Sequence, residues 1–240
     1  RVPSRRVNPW LFIPAAFLCG SIPFGMLIAR ARGIDIRAHG SGNIGATNVG
    51  RVLGRTWGVA VFALDVSKGL APVLVAGAAL GTLGHIAAPA RDAWLVLATA
   101  AAAILGHVFC PWLRFKGGKG VATSLGALAG VFPVLTIAVA LAALTWLAAL
   151  RVTRMVGVAS VMAAGALPVL VFGVFAGATA VGYFDTWAHA WAAATSAIVV
   201  TAALAGVVIV RHRGNLRRAM AGTEPKVAWI GGKTPRVTGP

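Results

Sequence analysis

The chain alternates long apolar runs with short basic, glycine-rich segments. Stretches free of Asp, Glu, Lys and Arg cover Val7–Ala29, Gly69–Ala90, Ala93–Leu113, Gly120–Leu150, Met155–Phe184 and Thr186–Val210, with lengths of 23, 22, 21, 31, 30 and 25 residues. About 20 apolar residues carry a helix across the hydrocarbon core of a bilayer, so each run predicts at least one membrane helix. The second run extends upstream through Thr56–Leu64, which places Asp65 and Lys68 within or at the edge of the membrane. The Gly120–Leu150 run is too long for one straight crossing, since a helix of that length spans about 46 Å against a core of about 30 Å. Pro133 marks a natural break in it, and two crossings put Lys116, Lys119, Arg151 and Arg154 at one end.

The pattern therefore predicts an all-α integral membrane protein of one domain, 1–240, with seven transmembrane helices. Their expected positions are roughly 8–30, 56–84, 92–111, 119–131, 133–151, 155–179 and 187–211. With that count, 17 of the 22 Lys and Arg fall on one face; Arg1, Arg5, Arg6 and Arg91 fall on the other, and Lys68 lies between. Basic loops stay in the cytoplasm, so the N-terminus is expected outside and the C-terminus inside, with the three N-terminal arginines outvoted. The first apolar run is too long for the core of a cleavable leader and lacks a small-residue cleavage pattern.

Composition agrees with a membrane setting: 58% of residues are hydrophobic and only 11% charged, too few for the surface of a soluble domain. The net charge of +17 would suggest nucleic acid in a soluble chain, but the basic residues here lie between apolar runs, where topology and anionic ligands account for them. The five carboxylates, Asp35, Asp65, Asp92, Asp185 and Glu224, are scattered at least 27 positions apart, which argues against a Mg²⁺ or Ca²⁺ site. Cys19 and Cys110 have no ligand-like spacing, so neither metal nor disulfide is expected.

Three polar clusters share the basic face. Gly40–Arg51, GSGNIGATNVGR, combines Gly40, Gly42 and Gly45 with Ser41, Asn43, Thr47 and Asn48, a composition whose backbone N–H groups form a concavity for anions. Arg51 adds a guanidinium fork suited to phosphate. Arg114–Ser124, RFKGGKGVATS, places Lys116, Gly117, Gly118, Lys119 and Gly120 directly before an apolar helix. It is not a Walker A loop, because Gly120 follows Lys119 where Ser or Thr is required. The loop and the helix N-terminus together suit an oxyanion. Arg211–Lys226, RHRGNLRRAMAGTEPK, sets His212 and Asn215 on one face if the last helix continues by a turn. Glu224 reads as a structural ion-pair partner. Asp65 and Lys68, at i and i+3, are expected to pair or to face a polar cavity, since a lone intramembrane carboxylate costs about 2.5–3.5 kcal/mol. His107 reads as an interhelical hydrogen-bonder.

Taken together, GSGNIGATNVGR, the GHVFCPWLRFKGGKGVAT of Gly106–Thr123 and the HRGNLRRAMAGTEPK of His212–Lys226 resemble the three signature segments of the PlsY family, bacterial acyl-phosphate:glycerol-3-phosphate acyltransferases. GSIPFG at Gly20–Gly25 and LDVSKG at Leu64–Gly69 extend the resemblance along the chain, and Cys110-Pro111-Trp112 is a local departure. The resemblance implies transfer of a fatty acyl group from acyl phosphate to the sn-1 hydroxyl of glycerol 3-phosphate, giving lysophosphatidic acid and phosphate, at a bacterial inner membrane and without cofactor or metal. It implies roles for Ser41, Arg51, Lys119, His212 and Asn215 in catalysis. Gly42, Asn43, Thr47, Asn48, Lys116, Gly117, Gly118 and Gly120 would bind substrate, and Glu224, Asp65 and Lys68 would be structural. Either His212 or a substrate phosphate could take the hydroxyl proton.

Acyltransferases of the His-x4-Asp type are excluded, because no histidine has an aspartate after four intervening residues. Metal-dependent phosphotransferases lack their aspartate cluster here. A membrane transporter of a phosphorylated or other anionic solute is the alternative reading; the absence of an internal repeat and the gathering of polar clusters at one side argue against it.

Overall fold

The computed structural model describes residues 8–227, and every regular element among them is helical. Arg1, Arg5 and Arg6, on which the external N-terminus bears, and the tail residues Lys233 and Arg236 lie outside the described residues. Six segments are long and apolar enough to cross a membrane: Pro9–Arg30, Arg55–Leu80, Ala90–Leu113, Val134–Thr153, Val156–Ala180 and Trp187–Arg211.

The first segment is broken where an unbroken helix over 8–30 is expected. Helix α1 (Phe12–Gly20) stops before Ser21 and α2 (Phe24–Arg30) begins after Pro23. Proline lacks an N–H and its ring crowds the preceding turn, so the helix yields at that point. The Ile22 carbonyl at the break accepts from Lys68 Nζ at 2.7 Å, which ties the kink to the middle of another helix.

After an irregular loop come a short helix, α3 (Ala46–Leu53), and the long α4 (Arg55–Leu80). Helix α5 (Ala90–Val108) returns to the end from which α4 started. The segment expected to cross at 119–131 is instead α6 (Val121–Ala129), nine residues long. At 1.5 Å per residue it covers about 13.5 Å, less than half the hydrocarbon core. Six of the seven expected crossings thus coincide with long segments, and the seventh, expected at 119–131, with one short helix. The reversal at Pro133 nonetheless takes place: the Phe132 carbonyl accepts from the Gly84 N–H at 3.2 Å, so the turn reaches the loop beyond α4. Helix α7 (Val134–Thr153) then runs back, followed by α8 (Val156–Ala180), α9 (Trp187–Arg211) and the short α10 (Arg213–Met220).

Small residues set the helix spacing. Gly69 of α4 and Gly126 of α6 face each other's backbone so closely that a Cβ on either would collide with a carbonyl of the other helix. Ala100, Ala103 and Ala138 are fully buried with Val73, Leu135 and Val171. Apolar side chains gain nothing by leaving lipid, so close contact between backbones, rather than bulk hydrophobicity, holds such helices together.

Candidate active site

The first cluster is half loop and half helix. Gly40 and Gly42 adopt positive φ of 58° and 68°, and a Cβ on Gly40 would strike the Asn48 side chain. Asn48 is buried and organises the loop: its Oδ1 accepts from the Ser41 N–H at 2.8 Å, and its Nδ2 donates to the carbonyls of His39 at 3.0 Å and Asn43 at 2.9 Å. Asn43 Oδ1 accepts from the Gly45 N–H at 2.8 Å, just before α3. Thr47 and Arg51 then lie four residues apart on α3, one turn of the same face. Arg51 is exposed and, among the described residues, its side chain makes no hydrogen bond or ion pair.

The second cluster is held from behind. Gly117 and Gly118 pack so closely on His107 that a Cβ on either would overlap its carbonyl or its ring, and their carbonyls accept from Arg211 Nη2 at 2.9 and 3.2 Å. This delivers Lys119 to the third cluster, where its Nζ donates to Asn215 Oδ1. Asn215 Nδ2 in turn donates to Glu224 Oε1 at 2.5 Å, and Glu224 Oε2 pairs with Arg218 Nε at 2.9 Å. Gly157, at the start of α8, leaves room for this amide: a Cβ there would sit 2.6 Å from Asn215. Asn215 is therefore fixed in orientation, with its oxygen toward the lysine and its nitrogen toward the carboxylate.

His212 joins α9 to α10 and is 3% exposed. Its Nδ1 lies 2.8 Å from the Val208 carbonyl, which can only accept, so Nδ1 carries the hydrogen and Nε2 is left with a free lone pair. Burial pulls its pKa down to about 4, opposed by the Val208 bond and helped by Lys119 and Arg211, so the imidazole is neutral at pH 7. Burial likewise pulls the Lys119 ammonium down to about 8; Glu224 pushes it back up, while Arg218, Arg51 and Arg211 oppose the charge.

These groups meet in a cavity of about 230 Å³. Ser41, Asn43, Thr47, Asn48, Arg51, Lys119, Gly120, His212, Asn215 and Glu224 all line it, as does Asp65. The structure does not bring Gly42, Lys116, Gly117, Gly118 or Lys68 to its wall; Lys116 is exposed on its loop, and the two glycines serve the passage beside His107. Asp65 and Lys68 form an ion pair of 2.7 Å, both side chains at most 3% exposed, with His107 Nδ1 3.8 Å from Asp65 Oδ1. The starts of α3 (Ala46, Thr47) and α6 (Val121, Ala122) also border the cavity, and the first N–H groups of a helix have no partner within it. Two helix N-termini and two cations thus face one volume, an arrangement suited to oxyanions. Among the described residues no three or more His, Cys, Asp or Glu gather as a metal site.

Three kinds of residue escaped the sequence reading. Arg211 and Arg218 were visible only as part of a basic run, Gly157 as one glycine in an apolar helix, and Trp146 and Ser160 as membrane-helix residues. Trp146 Nε1 donates to Ser160 Oγ at 3.2 Å, at the point where the polar cavity meets an apolar groove of about 310 Å³. Phe62, Val121, Trp146 and Ser160 line both volumes.

Residues 10–222 match the family model described as glycerol-3-phosphate acyltransferase. A glycerol-3-phosphate acyltransferase of Geobacter sulfurreducens is 45% identical over 218 residues, covering 91% of this chain and 97% of that protein. One of Aquifex aeolicus is 36% identical over 209 residues, covering 87% and 94%. Crystal structures of PlsY (YgiH), an integral membrane glycerol 3-phosphate acyltransferase, superpose with TM-scores of 0.72 for the glycerol 3-phosphate form and 0.70 for the lysophosphatidic acid form. Both are 34% identical and cover 92% of this chain, with 96% and 95% of the other covered in turn. With both sequence and helical fold matching these proteins along about nine-tenths of its length, the chain belongs to the glycerol-3-phosphate acyltransferase family, that of PlsY.

Proposed function

We propose that the protein transfers a fatty acyl group from acyl phosphate to the sn-1 hydroxyl of glycerol 3-phosphate, at a cavity facing the cytoplasm of a bacterial inner membrane. The observation that carries this reading is the continuity of one cationic cavity, closed by Arg51, Lys119, His212 and Asn215, with one apolar groove. A substrate pair with two phosphates and one alkyl chain fits that combination. The positive residues at the cavity end of the helices, Arg30, Arg32, Arg55, Arg151 and Arg154 among them, support a cytoplasmic setting and a seven-pass path in which α6 is the short limb.

Val121 borders both volumes, so the α6 N-terminus and Lys119 hold the phosphate of the acyl donor, with its chain in the groove. Ser41, Thr47 and Arg51 hold the phosphate of glycerol 3-phosphate. His212 Nε2, neutral and unprotonated, accepts a hydrogen bond from the sn-2 hydroxyl and so aims the sn-1 oxygen at the acyl carbon, leaving the sn-1 hydrogen directed at phosphate. The carbon–oxygen bond to the acceptor forms, the bond from acyl carbon to phosphate oxygen breaks, and the hydroxyl proton leaves on inorganic phosphate. With a second pKa near 6, a phosphate dianion is a stronger base than an imidazole near 4. Lys119 and backbone N–H groups stabilise the charge on carbonyl and leaving group. The donor is already activated, so neither a covalent enzyme intermediate nor a metal is required.

Purified protein in detergent, given palmitoyl phosphate and glycerol 3-phosphate in the presence of EDTA, tests this. Release of phosphate dependent on glycerol 3-phosphate, unchanged by EDTA and not supported by acyl-CoA, is expected. Activity only in sealed vesicles, or only with added metal, would contradict the reading.

A further inference from the structure

The apolar groove is layered, most clearly along α7 and α8, where its lining residues recur at each helical turn. Val121, Trp146, Ser160 and Val208 lie nearest the polar cavity. One helical turn deeper come Ala142, Ala143, Ala163, Ala164 and Ala205, with Ser124 and Leu125 of α6 and Leu204 of α9 at the same depth. Deeper again stand Leu128 of α6, Val139 of α7 and Leu167 of α8. Helices α6 and α8 run away from the cavity while α7 and α9 run toward it, so the same order arises from opposite chain directions. A sleeve of alanines ending on a floor of bulky side chains is therefore a property of the bundle and not of one helix. Leu128, Val139 and Leu167 are each at most 8% exposed, packed among neighbours that hold them in place.

We infer that Leu128, Val139 and Leu167 measure the acyl chain, and that the alanine-rich sleeve admits it. This rests on acyl transfer at the adjoining cavity. From Ser160 to Leu167 is seven residues of helix, about 10.5 Å along the axis. An extended zigzag of single bonds advances about 1.2 Å per bond, as the 3.3–3.6 Å reach of each three-bond residue shows. The groove thus holds about nine carbons beyond its neck. A donor short enough to be dissolved in water gains about fourfold in binding for each methylene that enters the groove, so specificity should climb with chain length until the floor is met and then level off. Carbons beyond that point leave the sleeve and add little.

The experiment is the chain-length profile of kcat/KM, from butyryl to stearoyl phosphate at saturating glycerol 3-phosphate, for the parent and three variants. The parent is expected to rise and then level near a decanoyl or dodecanoyl chain. Leu128→Ala and Leu167→Ala lower the floor and move that break two or three carbons longer. Ala164→Phe fills the sleeve and costs at least about tenfold with dodecanoyl and longer donors, while butyryl phosphate, which ends above the alanines, is used as by the parent. Butyryl transfer also reports that each variant is folded. A profile of the same shape in the parent and all three variants would overturn the inference. Failure of the parent to transfer from any acyl phosphate would instead overturn the function on which it rests.

Discussion

At the scale of single residues, the site works through protonation states that its neighbours fix. His212 is held neutral, so loss of activity from its own protonation sets in only as pH falls toward about 4. An acid limb near pH 6 would belong to a substrate phosphate, and His212→Ala should keep that limb while kcat falls by about 10²-fold through lost orientation. Disappearance of the limb in the variant would make His212 the base. Lys119 has the opposite sign. Its cation binds phosphate and is lost as pH rises through about 8, so kcat/KM should decline on the alkaline side. Lys119→Arg, always charged, should remove that decline, whereas Lys119→Ala should raise the KM for a phosphorylated substrate by about 10- to 150-fold. Glu224 helps keep Lys119 charged, so Glu224→Gln should move the alkaline limb to lower pH; an unmoved limb would detach the carboxylate from the lysine.

At the scale of elements, the long helices were legible because charge-free runs of 21 residues or more have few alternatives in a chain this apolar. Helix α9 falls on 187–211 as expected, and α7 and α8 within two residues. What was not legible depended on contacts between distant segments. GSGNIGATNVGR reads as loop because glycine and asparagine disfavour helix, yet α3 forms once Asn48 ties the preceding turn and α4 supports its other side. The break at Pro23 has the same logic, since its freed carbonyl is taken by Lys68 from 46 positions away. Lys68→Met would leave both that carbonyl and Asp65 buried without a partner. Removing one member of a buried pair costs about 3–5 kcal/mol, so the thermal midpoint in detergent should fall clearly, and Asp65→Asn in the same protein should recover part of it. No change in the midpoint would show that water or another group already serves Asp65.

At the scale of the whole molecule, three clusters spread over positions 40–226 are gathered because two long limbs separate the first from the second, and three long limbs with the short α6 separate the second from the third. Sequence showed that they could meet; only the packing showed that Asn215 stands between Lys119 and Glu224, and that the cavity continues into a groove. The gathering predicts topology as well. A cysteine replacing exposed Lys226 should react only from the cytoplasm and one replacing Pro89 only from outside, and reversed labelling would invert the molecule. The most direct measurement on the function itself is the ratio of products when purified protein meets acyl phosphate and glycerol 3-phosphate. Direct transfer predicts one lysophosphatidic acid for each phosphate released and no free fatty acid; phosphate in excess of ester, with fatty acid making up the difference, would mean that the site hydrolyses its donor and does not join the two substrates.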